Sequence, residues 1–140
     1  MKYGKLILTK KDYELIKLIL INWHLSKELT LVNYEKLSRE LSEAEIVDES
    51  NIPKDVVKFG SVVIIDTPYG VLNDFELVVP SRKDIPNKKL SVLSAIGSAI
   101  LGYAKGDEIS WNFPAGEKTI TIVNVKNNVT RRKKLEESTS

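Results

Sequence analysis

Few residues in this chain combine a type and a spacing that could do chemistry. His24 is the only histidine, and it opens the run His24-Leu-Ser-Lys-Glu-Leu29, which sets Lys27 and Glu28 beside it. A histidine there could serve as a general base, because its ordinary pKa lies near neutrality. The plainer reading is a solvated residue at a helix end, where a cation suits the C-terminal dipole. Glu43, Glu45, Asp48 and Glu49 form an acidic group. No histidine accompanies them and no rigid spacing cages an ion, so a solvated joint between elements is expected rather than a metal site. Thr130-Arg-Arg-Lys-Lys134 is the one basic cluster. Glu136 and Glu137 blunt it, and no aromatic interleaves to stack a base, so any contact with nucleic acid is expected to be indirect or weak. Phe59, Tyr69, Phe75, Trp111 and Phe113 could wall a ligand cleft, although alternation within strands accounts for most of them as core. Asp107 follows Gly106 in a turn and is expected to bond backbone amides there.

The densest information lies in Leu90–Asn124. A short strand ends at Ser94, which is placed to cap a helix Ala95-Ile-Gly-Ser-Ala-Ile-Leu-Gly102 that Gly102 ends. Gly97, Ser98 and Ala99 leave one face of that helix almost bare, so a sheet can lie against its backbone. Lys105-Gly-Asp-Glu108 turns the chain into Ile109–Phe113, whose apolar residues alternate as in a half-buried strand. Pro114-Ala-Gly116 supplies the next turn, and Thr119–Val125 returns.

Other elements must position this unit. Thr9-Lys-Lys-Asp12 reads as a capping box with aspartate in the glutamate position, opening a helix to about Trp23. Tyr13, Ile16, Leu20 and Trp23 form its stripe. Leu15, Leu18, Ile19 and Ile21 widen it, and that face reads equally as hairpin core, domain contact or dimer surface. Thr30 caps a second helix to about Ala44, with Leu31, Tyr34, Leu37, Leu41 and Ala44 at helical steps. The short connection His24–Leu29 predicts an antiparallel hairpin with arms roughly 20–25 Å long. Glu43–Asn51 is the polar joint. Val56–Asp66 and Val71–Pro80 are strands around the turn Thr67-Pro-Tyr-Gly70, and Ser81–Lys89 is a charged loop. Lys126–Ser140 is expected to fray.

Composition sets bounds. The 140 residues hold one ordinary domain or a small domain with an appendage. A net charge of +2 implies no nucleic-acid partner by itself, and zero cysteines exclude disulfides and thiolate metal sites. Ile16–Ile21 falls far short of the roughly 20 residues of a membrane span, and no signal-peptide pattern opens the chain. A soluble cytoplasmic protein with no membrane partner is expected.

The residues Ser91, Val92, Ser94, Gly97, Ala99, Leu101, Gly102, Gly106, Asp107, Ile109, Trp111, Pro114 and Gly116 keep the order and spacing of a known pattern. Through them the unit resembles the C-terminal domain of the Gre transcript-cleavage factors and of the related regulator of nucleoside diphosphate kinase family (Rnk). Ala95 departs from a common proline, and Ala115 from a common glycine. Ile52-Pro-Lys-Asp-Val-Val57 and Ser61-Val62 extend the resemblance upstream. It implies an α+β fold: an N-terminal antiparallel helical hairpin (a short coiled coil, residues 1–50), then an FKBP-like antiparallel sheet wrapped on one short helix (51–126), then a polar tail (127–140).

Gre factors carry acidic residues at the tip of their coiled coil. There they hold a second Mg²⁺ and orient a water that cuts backtracked RNA inside RNA polymerase. The predicted tip here offers Glu28 alone, with Lys27 opposing it, on a shortened arm. The resemblance therefore implies the Rnk-like branch: a non-enzymatic regulator that binds bacterial RNA polymerase at its secondary-channel rim and needs no cofactor or metal of its own. In that architecture the turn and helix start at Ser94–Leu101 face the rim. Ser94 and Ser98 offer hydroxyls there and Ile96 an apolar contact beside Gly97, while His24, Lys27 and Glu28 form a second contact at the tip. A packing role alone explains Gly97 and Ala99, and both readings stay open. The alternatives are transcript cleavage through Glu28 with Asp12 or Glu35 brought close by folding, prolyl isomerisation by the FKBP-like unit, and a stand-alone nucleic-acid binder.

Overall fold

A computed structural model of the chain describes residues 1–127. The basic cluster Thr130–Lys134 and the rest of the tail beyond residue 127 lie outside the described residues. β1 (Ile7–Thr9) runs directly into α1 (Lys10–Ile21). Thr9 Oγ1 accepts the Asp12 amide at 3.1 Å, the expected N-cap, which stabilises the helix by about 1 kcal/mol. The reciprocal half of the capping box is replaced. Asp12, one methylene shorter than glutamate, accepts from the Phe59 amide at 3.1 Å instead and so ties the first turn of α1 to a distant segment. α1 stops at Ile21, short of the expected Trp23, and Trp23–Leu25 forms a single 3-10 turn. Thr30 caps α2 (Leu31–Ser42) by accepting the Asn33 amide at 3.2 Å. Leu8 and Leu29 precede the two caps, and Tyr13 and Tyr34 stand at the fourth helical positions, the placement of a hydrophobic staple.

The stretch expected to be an irregular joint contains a strand. β2 (Glu45–Val47) pairs in parallel with β1, Ile7 opposite Glu45 and Thr9 opposite Val47. The helix pair therefore leaves and re-enters the fold at one ladder. Three residues per strand are too few for alternation to reveal.

β3 (Val62–Thr67), β4 (Gly70–Val78), β5 (Lys89–Ser91), β6 (Glu108–Phe113) and β7 (Gly116–Lys126) form a second sheet in the order β5-β4-β3-β7-β6. The β4–β5 pair is parallel and the others are antiparallel. β3 starts at Val62 rather than Val56, because Val57 donates to Tyr103 O at 2.8 Å and Val56 bridges to Ala104. Register shifts between Val63 and Ile65 curl the sheet.

α3 (Ala95–Ile100) packs on β5 and β6. A β-carbon on Gly97 would stand 2.0 Å from the Ser91 carbonyl oxygen, so only glycine permits this approach. Ser94 locks the junction, accepting the Gly97 amide at 3.0 Å and donating to Ser91 O at 2.6 Å.

The result is a mixed α+β fold with a curled sheet and few helices. Ile16 and Leu20 of α1 and Leu37 and Leu41 of α2 join Ile65, Ile100, Trp111 and Ile122 in one buried cluster. Each buried Leu or Ile contributes about 2 kcal/mol. α2 lies on α3 and β6, so its apolar stripe is used on the sheet unit. β6 is an outer strand, and α2 covers its edge: Asn33 Nδ2 donates to Asn112 O at 2.9 Å, and Lys36 Nζ donates to Ser110 O. Covered carbonyls cannot recruit another strand. The Lys36 ammonium also sits 4.6 Å from the Trp111 ring centroid, an attraction of about 1 kcal/mol.

Farther along α2 the Tyr103 hydroxyl donates to the Glu40 carboxylate. Burial pushes the Glu40 carboxyl above its ordinary value, with the Tyr103 hydrogen bond opposing. Burial, then the Glu40 carboxylate, pushes the Tyr103 phenol up.

Two measurements check this packing. Gly97→Ala is expected to cost about 3 kcal/mol or more in urea unfolding, since backbone must move to admit the methyl; a loss under about 1 kcal/mol would contradict the close approach. Folded Glu40 holds its proton more tightly than the unfolded chain does. Its contribution is therefore fully present below the ordinary value of 4.5 and is lost as pH rises through the raised folded value. Glu40→Gln keeps an acceptor for Tyr103 but cannot ionise. Its melting temperature is expected to rise relative to the parent as pH climbs above 4.5; parallel curves would contradict a raised Glu40 carboxyl.

Candidate functional site

The segment before and through α3 holds four of the expected contact residues. Ser94 and Ile96 are half-buried, while Gly97 and Ser98 are buried. The Ser94 hydroxyl is engaged in the helix cap, and Ser98 Oγ donates to Ala95 O at 3.1 Å. Ile96 packs its inner part on the core. What this segment offers outward is thus the start of α3, through Ser94 and Ile96.

The other three lie where α1 gives way to α2. His24 and Lys27 are exposed and Glu28 is half-buried. Trp23 stacks on Tyr34 with ring centroids 4.4 Å apart and planes at 13°, clamping the two helix ends together, and His24 stands edge-on to Trp23 at 6.2 Å. Glu28 Oε1 is ion-paired with Lys83 Nζ. Its second oxygen is buried and makes no hydrogen bond among the described residues. Asp12, a candidate partner for Glu28, lies in the first turn of α1, most of a helix length away, and its carboxylate is bonded to Phe59. Among the described residues, no three His, Cys, Asp or Glu side chains converge as ligands for a metal ion.

The remaining candidates have structural surroundings. Glu43, Glu45, Asp48 and Glu49 are exposed, and Glu49 pairs with Lys58. Asp107 Oδ2 accepts the Ala104 amide at 2.8 Å, the turn-fixing bond expected of it. Trp111 and Phe113 are buried in the core, Phe59 and Phe75 are half-buried, and Tyr69 is exposed with its ring edge-on to Phe113 at 5.9 Å. A cleft of about 210 Å³ opens between α1 and the end of β4, lined in part by Lys11, Asp12, Lys58, Phe59, Glu76 and Arg82. Burial pushes the Asp12 carboxyl up there, opposed by the Phe59 amide. Equal numbers of opposite charges line this cleft.

Sequence reasoning missed the polar stripe Asn33, Lys36 and Glu40. Its three- and four-residue spacing beside Leu37 and Leu41 was the available sign of a helix docked on a polar edge. It also missed Lys83, whose tie to Glu28 joins segments far apart in the chain and leaves no local trace.

The family model described as transcription elongation factor, GreA/GreB, C-term matches residues 52–127. Transcription elongation factor GreA of Syntrophobacter fumaroxidans is 32% identical over 94 residues, covering 66% of this chain and 60% of the relative. GreA of Brucella anthropi is 31% identical over 108 residues, covering 74% of this chain and 69% of the relative. The chain thus spans about 60% of the length of the first of these relatives. A solved prokaryotic transcription elongation factor GreA/GreB from Nitrosomonas europaea superposes with a TM-score of 0.66 at 31% identity, covering 88% of this chain and all of that one. Among the described residues no helix is long and apolar enough to cross a membrane. With more than half its length matched by the family model, and with relatives and a solved structure agreeing, this chain belongs to the GreA/GreB transcription elongation factor family.

Proposed function

We propose that this protein binds bacterial RNA polymerase in the cytoplasm, at the rim of the secondary channel, and modulates elongation without supplying the chemistry of transcript cleavage. In this reading the region 51–126 is an FKBP-like docking unit. The helix pair takes the place of the coiled-coil arm, its two helices packed chiefly on the sheet unit and not on each other, nearest in kind to the Rnk branch. Ser94 and Ile96 at the start of α3 touch the rim, with Gly97 and Ser98 shaping that surface from beneath. His24, Lys27 and Glu28 form the second contact. The effect on transcription is steric: a short arm occupies the entrance and competes with longer-armed factors.

The observation that carries this reading is the condition of Glu28. A cleavage factor must present carboxylate oxygens to a second Mg²⁺, which demands hard, negatively charged and accessible ligands. The one carboxylate between α1 and α2 is neutralised by Lys83 and has its other oxygen buried. Each of the two helices runs 12 residues, about 18 Å, and both contribute to the core of the sheet unit. The relatives' name, transcription elongation factor GreA, favours elongation as the process acted upon.

The test uses core polymerase and backtracked elongation complexes with Mg²⁺, with a cleavage-competent Gre factor as control. The protein is expected to be retained on core polymerase, to inhibit Gre-stimulated cleavage in proportion to its concentration, and to add no cleavage of its own. Cleavage that disappears in Glu28→Ala would overturn the non-enzymatic assignment. Failure to be retained where the control binds would overturn the docking assignment.

A further inference from the structure

The cleft between α1 and the end of β4 plays no part in the polymerase contacts given above, and its floor holds charges taken out of water. Asp12 is 6% exposed and Lys58 8%. Residues of these types are seldom buried so far unless they are fully compensated. Here the compensation is partial. The Lys58 ammonium has three donors and, among the described residues, uses one on Glu49. The Asp12 carboxylate accepts one hydrogen bond, from the Phe59 amide, and has acceptor positions to spare. Burial pushes that carboxyl above its ordinary value, because the Phe59 amide and the Lys58 charge offset only part of the cost.

The rest of the lining decides what would satisfy these groups. Three cationic and three acidic side chains surround the cleft, so it favours neither sign of net charge. Glu49 and Glu76 are ion-paired with Lys58 and Lys89, whereas Lys11 and Arg82 are exposed and unpaired among the described residues. Arg82 offers a planar fork suited to a carboxylate. Leu15, Phe59, Val78 and Val79 supply an apolar wall. A simple anion would meet Lys11 and Arg82 but would lie beside the Asp12 carboxylate. A metal ion finds no three convergent His, Cys, Asp or Glu ligands among the described residues. A ligand carrying both charges answers every group at once. Its carboxylate faces Arg82, Lys11 and Lys58, its ammonium faces Asp12, and its side chain lies on the apolar wall. The volume of about 210 Å³ falls below the roughly 300–1,000 Å³ of sites for drug-sized molecules, so that ligand is small.

We propose that this cleft binds a free α-amino acid with an apolar side chain. Its lining comes from α1, from the segment before β3, from the end of β4 and from the 3-10 turn Pro80–Arg82 that follows. The ligand therefore bridges α1 and the sheet unit beside the Asp12–Phe59 hydrogen bond and adds to the hold between them. Because it binds the folded chain alone, it stabilises that chain as its concentration rises past the dissociation constant. The site is separate from the polymerase contacts and does not depend on them.

Calorimetry and thermal unfolding of the full chain with L-leucine decide the matter, beside isocaproate, which lacks the ammonium, and isoamylamine, which lacks the carboxylate. L-leucine is expected to bind saturably and to raise the melting temperature, and each analogue to bind roughly tenfold or more weakly. Arg82→Gln, at an exposed position, is expected to weaken L-leucine by roughly tenfold or more while leaving the melting temperature of the free chain unchanged. Asp12→Asn keeps an acceptor for the Phe59 amide and is expected to weaken L-leucine while sparing isocaproate. Absence of saturable L-leucine binding up to about 10 mM overturns the proposal. Isocaproate binding as tightly as L-leucine also overturns it, since the cleft would then be an anion site. So does L-leucine affinity unchanged in either variant, which would place the ligand elsewhere.

Discussion

The contact between α3 and the end of β5 governs what the rest of this structure can do. Gly97 brings helix backbone against the Ser91 carbonyl at a separation that leaves no room for a methyl group, and Ser94 bonds to both sides of the junction. A helix seated that low leaves space above it, and α2 lies there, against α3 and β6. Were α3 held off the sheet by a larger residue, Leu37 and Leu41 would lose their place in the core. The donors Asn33 and Lys36 would lose the edge carbonyls of β6. The position of the helix pair therefore depends on one glycine outside it.

α2 joins the two halves through a mixture of interactions that differ in kind. Its leucines contribute non-directional burial, which favours docking but sets no register. Asn33 and Lys36 reach particular carbonyls of β6, and Glu40 a particular hydroxyl. These polar contacts add little net energy apiece, but leaving any one partner buried and unmatched is costly, so they select one placement of the helix among many greasy ones. The raised Glu40 carboxyl records the cost of burying that charge.

Much of the architecture was legible in the chain. Ser94, Gly97 and Gly102 mark the beginning, the close approach and the end of α3 through local chemistry, and Thr9 and Thr30 mark the caps of α1 and α2. The strands β6 and β7 follow from alternation. What stayed hidden was non-local. β1 and β2 are too short to carry a period and exist only because they meet. Asp12 has the sequence of a capping residue, but a distant amide claims it. At the candidate site, the lone carboxylate Glu28 was visible, whereas its neutralisation depends on a lysine in another loop. The broad stripe of α1 contained both buried and exposed residues, and only packing separates Ile16 and Leu20 from Leu18 and Ile21.

The β1–β2 ladder has a mechanical consequence. An arm joined to a body by one strand of chain swivels about that joint, and its tip samples a cone. Here both feet of the helix pair are stapled side by side, with Ile7 also bonded to Gly102 O just past α3. Rotation of the helix pair must break this backbone pairing as well as the contacts of α2 with α3 and β6. The helix pair is thereby held in one orientation on the sheet unit and does not swing on a single connection.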